Sequence, residues 1–308
     1  MNKQFKIEDG IAVSTGISWC THSWGPLRYR LKSTGKTVFY CQRISDGCRF
    51  CYAHRIGKRF GGPDFTVPNL ALVEPFIDEK ELHTAISMRP ALFAHNHEPA
   101  YPAPHTRPAI FVGDMTDLWG DWVPFEMIDR IMAVAALRPD ITFQFLTKRT
   151  ARMVEYFGLD DSHCRPIKWP LPNVLLGFSA ENQEYFDSRW ADMRKLAAMG
   201  WKVFASIEPQ IAPVDCIKAL GGHDVAHAAL SWAIIGGESG HGARPFNPQW
   251  ALDLVQQFKA SAVPLWVKQM GANRVDFGPW EGTSDSHGAD WNEWPPDLRV
   301  RQLPEVWL

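Results

Sequence analysis

The chain has 308 residues, of which 45% are hydrophobic and 21% charged, with 32 Lys and Arg against 34 Asp and Glu. This length and apolar content allow one large α/β domain or two small ones and exclude a disordered chain. The net charge of −2 excludes a protein that is basic throughout. No apolar run approaches the roughly 18 residues of a membrane-spanning helix, and the N-terminal residues lack the apolar region of a secretory signal. We therefore expect a cytoplasmic protein that does not bind membranes.

Short apolar runs alternate with helical patterns after residue 105, at a spacing of about 30 residues that is typical of βαβ units. The predicted strands are Ala109–Val112, Thr142–Leu146, Val174–Phe178, Val203–Ile207, Trp232–Ile235 and Leu265–Val267, with an earlier one near Thr37–Tyr40. The predicted helices are Glu79–Met88, Phe125–Leu137, Glu181–Met199 and Pro248–Ala260. Continuously apolar strands favour a parallel sheet buried on both faces. The pattern predicts an α/β fold with a full or partial (β/α) barrel, and a doubly wound open sheet is the alternative.

Two segments interrupt this pattern. Five prolines between Pro90 and Pro108 predict a long loop with little regular structure. The acidic, tryptophan-rich segment 276–308 predicts an irregular C-terminal extension that packs on a barrel formed by residues 1–275. We expect this extension not to be a second domain.

Three cysteines, Cys41, Cys48 and Cys51, lie within eleven residues in a Cys-x6-Cys-x2-Cys pattern. Thiolates are soft ligands that select zinc, Cu(I) or iron–sulfur clusters. Structural zinc takes four protein ligands, whereas three cysteines on a [4Fe–4S] cluster leave one iron open. The alternative is zinc with a distant fourth ligand, Cys20 or His54. The remaining cysteines are predicted to be buried or incidental; they are Cys20, Cys164 and Cys216.

The cysteine triplet, with the aromatic Phe50 directly before Cys51, resembles the cluster motif of the radical S-adenosylmethionine (SAM) superfamily. The usual spacing there is three residues and then two, whereas here it is six and then two. The longer spacing resembles a smaller radical-SAM-like family that is common in phages and largely without assigned function. The resemblance covers about residues 11–275 and includes the segments Gly16–Trp19, Ser23–Pro26, Gly47–Ala53, Phe111–Leu118, Phe145–Arg149, Gly177–Asn182, Ser206–Pro209, Ile235–Gly240 and Val267–Gly271.

This resemblance implies a partial (β/α) barrel of the radical SAM type with a C-terminal irregular extension. It implies that Cys41, Cys48 and Cys51 hold a [4Fe–4S] cluster whose open iron binds the amino and carboxylate groups of SAM. An electron donor such as flavodoxin would reduce the cluster. Cleavage of SAM would then give a 5′-deoxyadenosyl radical that abstracts a substrate hydrogen, while the protein orients SAM and excludes water.

Polar side chains follow all six predicted strands after residue 105, at the edge where barrel enzymes carry out their chemistry. These side chains are Asp114, Lys148, Ser179 with Glu181 and Asn182, Glu208, Glu238 and Lys268. The resemblance implies that Asp114 contacts the SAM amino group, that residues 179–182 contact its ribose or methionine part, and that Lys148 or Lys268 holds a carboxylate or phosphate. The alternative is that single residues are solvated or cap a helix, as Glu181 or Asn182 could. The glycine-rich segment Gly236–Gly242 either cradles adenine or an anionic group or is a plain tight turn.

Residues 28–59 carry nine Lys and Arg against a single acid, Asp46, with five aromatic residues between them. Basic residues with interleaved aromatics favour a nucleic-acid backbone with a stacked base. The alternative is that these cations balance the charge of the cluster or of the acidic C-terminal segment.

Together these features predict a radical SAM enzyme with a DNA or nucleotide substrate, in the host cytoplasm if the protein is phage-encoded. The specific hypothesis is an isomerase that rearranges an amino-acid adduct of thymidine during thymidine hypermodification of phage DNA. A DNA-lesion lyase of the spore-photoproduct type is the next hypothesis. Two others come from different classes: a non-catalytic zinc-dependent nucleic-acid-binding module, and a DNA-binding partner that keeps the fold without SAM chemistry.

Overall fold

The structure is a computed structural model, and it describes residues 7–8, 11–12, 17–88, 108–158, 168–221, 230–275 and 284–304. The chain divides into two compact units, of which one runs to Leu175 and the other begins at Leu176. The predicted proline-rich loop and Cys164 fall almost wholly outside the described residues. So do residues 276–283, next to the predicted boundary at residue 275, and that boundary stays a prediction.

Twelve strands and six α-helices are present among the described residues. The strands are β1 Ile7–Glu8, β2 Ile11–Ala12, β3 His22–Trp24, β4 Leu27–Leu31, β5 Thr37–Val38, β6 Val73–Ile77, β7 Ala109–Val112, β8 Thr142–Thr147, β9 Val174–Ser179, β10 Lys202–Ile207, β11 Trp232–Gly236 and β12 Leu265–Gln269. The helices are α1 Tyr52–Arg59, α2 Glu79–Ser87, α3 Phe125–Leu137, α4 Thr150–Phe157, α5 Gln183–Ala198 and α6 Pro248–Ser261. No described helix is both long enough and apolar enough to cross a membrane.

The main sheet contains seven strands in the order β12-β11-β10-β9-β8-β7-β3. Its pairs β3–β7, β7–β8, β10–β11 and β11–β12 are parallel. The order follows the chain without the reversal that defines a doubly wound sheet. The prediction of an α/β fold is therefore confirmed, and the strand order is compatible with a partial barrel.

The first strand of the main sheet is not the one that the sequence predicted. Residues 37–38 form β5, which pairs antiparallel with β4 in a separate sheet of order β5-β4-β6. The strand that joins the main sheet is β3, which pairs with β7 and has only three residues. The sheet β5-β4-β6, which we call the inserted sheet, accounts for the basic stretch between Trp24 and Cys41.

The inserted sheet follows from the alternation of residues along β4. Leu27 and Tyr29 are buried on one face, whereas Arg28 and Arg30 alternate with them and lie on the other. A turn with Gly35 at φ +70° reverses the chain between β4 and β5, a conformation that glycine adopts without strain. Residues 41–51, which carry the three cysteines and which we call the thiol segment, therefore begin directly after a hairpin and not after a strand of the main sheet.

The second unit has its own core and carries the C-terminal segment. In β9, a Cβ atom at Gly177 would lie 2.3 Å from the Phe204 ring, so only glycine fits there. Residues 284–304 pack on β12 largely without regular structure, and Val267 N–H donates to Val300 O at 2.8 Å. The Arg301 guanidinium stacks on three tryptophan rings, Trp266, Trp291 and Trp294.

Candidate functional site

The three predicted cysteine ligands lie in the first unit, in the segment that connects β5 to α1. Cys48 closes a short 3-10 turn, Asp46–Cys48, and Cys51 precedes the first residue of α1. All three are free thiols and half-buried. Burial raises the pKa of Cys41, and so do the negative charges of Asp117, Cys51 and Cys48. The three sulfurs therefore lie within electrostatic range of one another.

The Lys148 ammonium group is connected to Cys48 through the hydroxyl group of Ser45. Lys148, which follows β8, donates from Nζ to Ser45 Oγ at 3.0 Å, and Ser45 Oγ lies 3.7 Å from Cys48 Sγ. Burial alone would raise the pKa of Cys48, but the Lys148 ammonium and hydrogen bonds involving Ser45 and the Ile44 backbone bring it below its ordinary value. The structure therefore places Lys148 where it stabilises a thiolate, which the sequence did not predict.

The next residue, Arg149, acts electrostatically on Cys41, at the other end of the thiol segment. Its Nη1 lies 3.3 Å from Asp117 Oδ2, and its guanidinium favours the ionised form of Cys41. The guanidinium also lies 4.8 Å from the Trp122 ring centroid. Because Asp117 raises the pKa of Cys41 more than Arg149 lowers it, this ion pair supplies no net positive charge to Cys41, whereas Lys148 lowers the pKa of Cys48.

Asp114, the predicted contact for the SAM amino group, is 8% exposed after β7. Burial raises its pKa from 3.8 to about 6, although Arg28 and a hydrogen bond with Ser23 act in the opposite direction. Arg28 is itself buried, and its Nη2 lies 3.6 Å from Glu81 Oε2. One guanidinium therefore faces two carboxyl groups. This group of three side chains has one positive charge too few to neutralise both carboxylates.

Tyr52 connects the thiol segment to the end of β7. Its hydroxyl donates to the main-chain oxygen of Asp114 at 2.6 Å, and Tyr52 directly follows Cys51. Sequence reasoning placed Tyr52 in the resembling segment Gly47–Ala53 and among the interleaved aromatic residues, but gave it no role of its own. Its position beside the third cysteine was the available signal.

The fit of these residues to an iron–sulfur cluster can be judged on donor chemistry and geometry. Three free thiols, one of them beside the Lys148 ammonium, suit a group that binds thiolates and carries net negative charge. In the described ranges, however, no three His, Cys, Asp or Glu side chains are grouped closely enough to hold a metal ion. The donor set fits the cluster, in which each of the three thiolates would bind a different iron, whereas the same ranges offer no such group for a single metal ion.

The two alternative zinc ligands are engaged elsewhere. His54 Nδ1 lies 2.8 Å from Arg43 Nη2, and its Nε2 lies 2.9 Å from Asp64 Oδ1. Cys20 is 5% exposed, and its thiol donates to Ile17 O at 3.8 Å. Cys20 and Cys216 are both buried, as predicted.

In the second unit, the side chains after β9 are held by local contacts. Arg189 Nη1 donates to Ser179 O at 2.6 Å and to Glu181 Oε2 at 2.8 Å. Asn182 Oδ1 accepts the Tyr185 N–H at 3.0 Å and so caps α5. The capping alternative is therefore correct for Asn182, while binding of a cofactor by these residues stays a prediction.

The acids that follow β10 and β11 are also ion-paired. Glu208 Oε1 lies 3.2 Å from Lys268 Nζ, and Glu238 accepts three hydrogen bonds from Arg244. A Cβ atom at Gly237 would lie 2.5 Å from Met270 O, so close packing requires this glycine. Sequence reasoning named the acids but missed Arg189 and Arg244, which lie eight and six residues further along the chain.

Comparison with protein families gives one match, which spans most of the chain. Residues 14–295 match the model of a family described as Protein of unknown function (DUF5131). The chain belongs to the DUF5131 family. No curated protein matches it, and no solved structure matches it. The function of this DUF5131 protein must therefore be argued from its own residues.

Proposed function

We propose that this DUF5131 protein is a radical SAM enzyme in which Cys41, Cys48 and Cys51 hold a [4Fe–4S] cluster. The observation that carries the proposal is a segment of three free thiols in which the Lys148 ammonium contacts Cys48 through the Ser45 hydroxyl. A bound cluster would supply the electron that cleaves SAM to a 5′-deoxyadenosyl radical.

The protein's own part in this chemistry is to stabilise thiolates and to orient a cationic cosubstrate. Lys148 offsets the negative charge of a Cys48 thiolate, which burial would otherwise disfavour, whereas Arg149 is paired with Asp117 and favours the Cys41 thiolate only in part. Asp114 binds an ammonium group, because its pKa of about 6 indicates a carboxylate with too little positive charge around it. The amino group of SAM would provide that charge.

We further propose a nucleic-acid substrate, with a modified nucleobase as the reacting group. The support is the set of exposed cations around the thiol segment. Of the five interleaved aromatic residues, Tyr52 is exposed, whereas Tyr29 and Tyr40 are fully buried and are not available to a base. Within this class the first candidate is an isomerase acting on an amino-acid adduct of thymidine in phage DNA, and the second is a lyase of the spore-photoproduct type. An electron donor such as flavodoxin belongs to the same proposal.

A zinc-dependent binding module is the alternative from another class. It needs a fourth protein ligand, and both ring nitrogens of His54 are already hydrogen-bonded. This observation favours the iron–sulfur proposal. A DNA-binding protein that has lost SAM chemistry remains an outcome of the experiment below.

The test is reduction of the anaerobically reconstituted protein with dithionite in the presence of SAM and oligonucleotide, followed by chromatography for 5′-deoxyadenosine. We expect 5′-deoxyadenosine from the wild type and from Cys216→Ala, whose thiol lies in the second unit, and none from Cys48→Ala. A protein that holds a cluster but forms no 5′-deoxyadenosine with any oligonucleotide would indicate a binding protein. Equal product from Cys48→Ala would contradict the ligand assignment.

A further inference from the structure

The nine cations predicted to form a nucleic-acid patch do not all face solvent. Arg28 is buried against Glu81 and Asp114 and is not available to a partner. The other eight are exposed: Arg30, Lys32, Lys36, Arg43, Arg49, Arg55, Lys58 and Arg59. Between residues 30 and 76 only three acids accompany them, namely Asp46, Asp64 and Glu74. This part of the surface is therefore strongly positive, although the whole chain is slightly acidic.

Four of these cations have partners close by, and one of them is Arg49, whose guanidinium lies 5.2 Å from the Phe50 ring centroid. Lys58 lies 3.2 Å from Asp64, and Arg43 contacts His54. Arg30 is paired in register with Glu74 across the inserted sheet, and its guanidinium stacks on Phe76 at 3.9 Å from the ring centroid. Charge neutralisation on this surface is thus partial.

Helix α1 presents one exposed stripe that begins beside the thiol segment. Tyr52, Arg55 and Arg59 are spaced three and then four residues apart, so they lie on the same face of the helix. All three are exposed. The stripe leads from the residue after Cys51 towards the C-terminal end of α1, and the Cα atoms of its two arginines are about 6 Å apart along the helix axis.

The inserted sheet continues this stripe. A Cβ atom at Gly61 would lie 2.8 Å from Lys36 Nζ, so Lys36 extends over the turn that follows α1. The large aromatic side chain at that turn, Phe60, is 59% exposed. We call Lys36, Arg55, Arg59 and Phe60 the basic ridge.

We propose that the basic ridge binds single-stranded nucleic acid, with phosphates on Lys36, Arg55 and Arg59 and one base stacked on Phe60. Positive grooves with exposed aromatic rings bind single strands because every unpaired base offers a flat face for stacking. Paired bases in a duplex do not offer that face. This inference rests on the proposed function, because the ridge leads towards the thiol segment and would deliver an unpaired base there.

The test is fluorescence anisotropy of the reconstituted protein with a labelled mixed-sequence single strand and with the matching duplex, across a range of salt concentrations. Arg55→Gln/Arg59→Gln should flatten the slope of log affinity against log salt by about 1.4, since each phosphate contact on a single strand contributes about 0.7. Phe60→Ala should weaken single-strand binding about 5- to 100-fold with the slope unchanged.

The matched control is Lys195→Gln/Lys218→Gln, which removes two exposed cations from the second unit and should leave both affinity and slope unchanged. Circular dichroism melting checks that each variant is folded. Equal loss of affinity in the control would show that only net charge matters and would overturn the ridge.

Tighter binding of the duplex, with no effect of Phe60→Ala, would overturn the single-strand assignment. Binding of an acidic polyglutamate peptide with no binding of either nucleic acid would overturn it in favour of a protein partner. Iron content and SAM cleavage are measured separately on the same variants. A result that contradicts the ridge proposal can therefore be distinguished from a result that contradicts the proposed enzyme activity.

Discussion

The buried carboxyl groups that follow β7 in the first unit and β9 in the second differ in how fully they are neutralised by neighbouring cations. Glu181 is fully buried and paired with Arg189 at 2.8 Å. Asp114 is almost as buried, yet it shares Arg28 with Glu81 and has a raised pKa. Structural carboxylates are satisfied within the protein, whereas incompletely balanced ones mark candidate functional sites. The contrast favours Asp114 over Glu181 as a group that meets a ligand.

The largest expected effect on the free energy of unfolding comes from breaking the pair between Glu181 and Arg189. Arg189→Met should destabilise the protein by about 3 to 5 kcal/mol, because it leaves the Glu181 carboxylate buried without a partner. Urea unfolding measures this loss. Lys195→Met is the control, since its exposed pair with Asp192 should contribute about 1 kcal/mol or less. A loss for Arg189→Met no larger than the control would show that Glu181 does not depend on its pair.

At Asp114, removal of the carboxylate charge is expected to stabilise the folded protein, not to destabilise it. Because the folded-state pKa is raised from 3.8 to about 6, the folded state binds this proton more tightly than the unfolded state. The contribution of Asp114 to stability is therefore highest below about pH 3.8 and falls as the pH rises through about 6. Asp114→Asn should stabilise the protein by about 2 to 3 kcal/mol at pH 8.

Unfolding free energies measured between pH 4 and pH 8 check this prediction. The difference between Asp114→Asn and wild type should grow with pH and level off above about 6. A variant that is less stable than wild type at pH 8 would contradict the view that Asp114 is insufficiently neutralised.

The fold could be predicted from the sequence where the signal is local. The bounds of β7 and α3 match the predicted residues, because a continuous apolar run and a 3.6-residue stripe each specify one element. β5 was assigned to the wrong sheet, since its antiparallel neighbour β4 pairs in turn with β6, which lies more than thirty residues away. β3 has three residues and is too short to give a pattern.

The candidate site was predictable in its residue types but not in its contacts. The cysteines and strand-end acids stand out by composition and position. The pairing of Glu181 with Arg189 depends on how α5 returns to β9, and the burial of Arg28 depends on α2 supplying Glu81. Such contacts are set by packing between elements, which a single sequence does not display.

Lys148 extends the comparison from the carboxyl groups to the thiol segment, where a nearby cation should act on the bound cluster. Lys148→Gln should shift the midpoint potential of the reconstituted cluster to a more negative value, on the order of 100 mV or less, because loss of a nearby positive charge disfavours reduction. A redox titration followed by electron paramagnetic resonance measures it. Lys148→Arg keeps the charge and should remain near wild type. An unchanged midpoint potential in Lys148→Gln would show that the Lys148 charge does not act on the cluster.

The smallest expected effect concerns Tyr52. Tyr52→Phe removes the hydrogen bond to Asp114 O and should cost about 0.5 to 1.5 kcal/mol in urea unfolding. Tyr156→Phe is a control, since it removes the hydroxyl that donates to Asp129 Oδ1 elsewhere in the same unit. If Tyr52→Phe lowers the cluster content and Tyr156→Phe does not, Tyr52 positions the thiol segment. Equal cluster content in both variants would leave Tyr52 with a structural role alone.

The most direct measurement of the central claim is the metal and sulfide content of the anaerobically purified and reconstituted protein. The account predicts about four iron and four acid-labile sulfide per chain in the wild type, retained in Cys216→Ala and lost in Cys48→Ala. Zinc without sulfide in the wild type, or full iron content in Cys48→Ala, would contradict it.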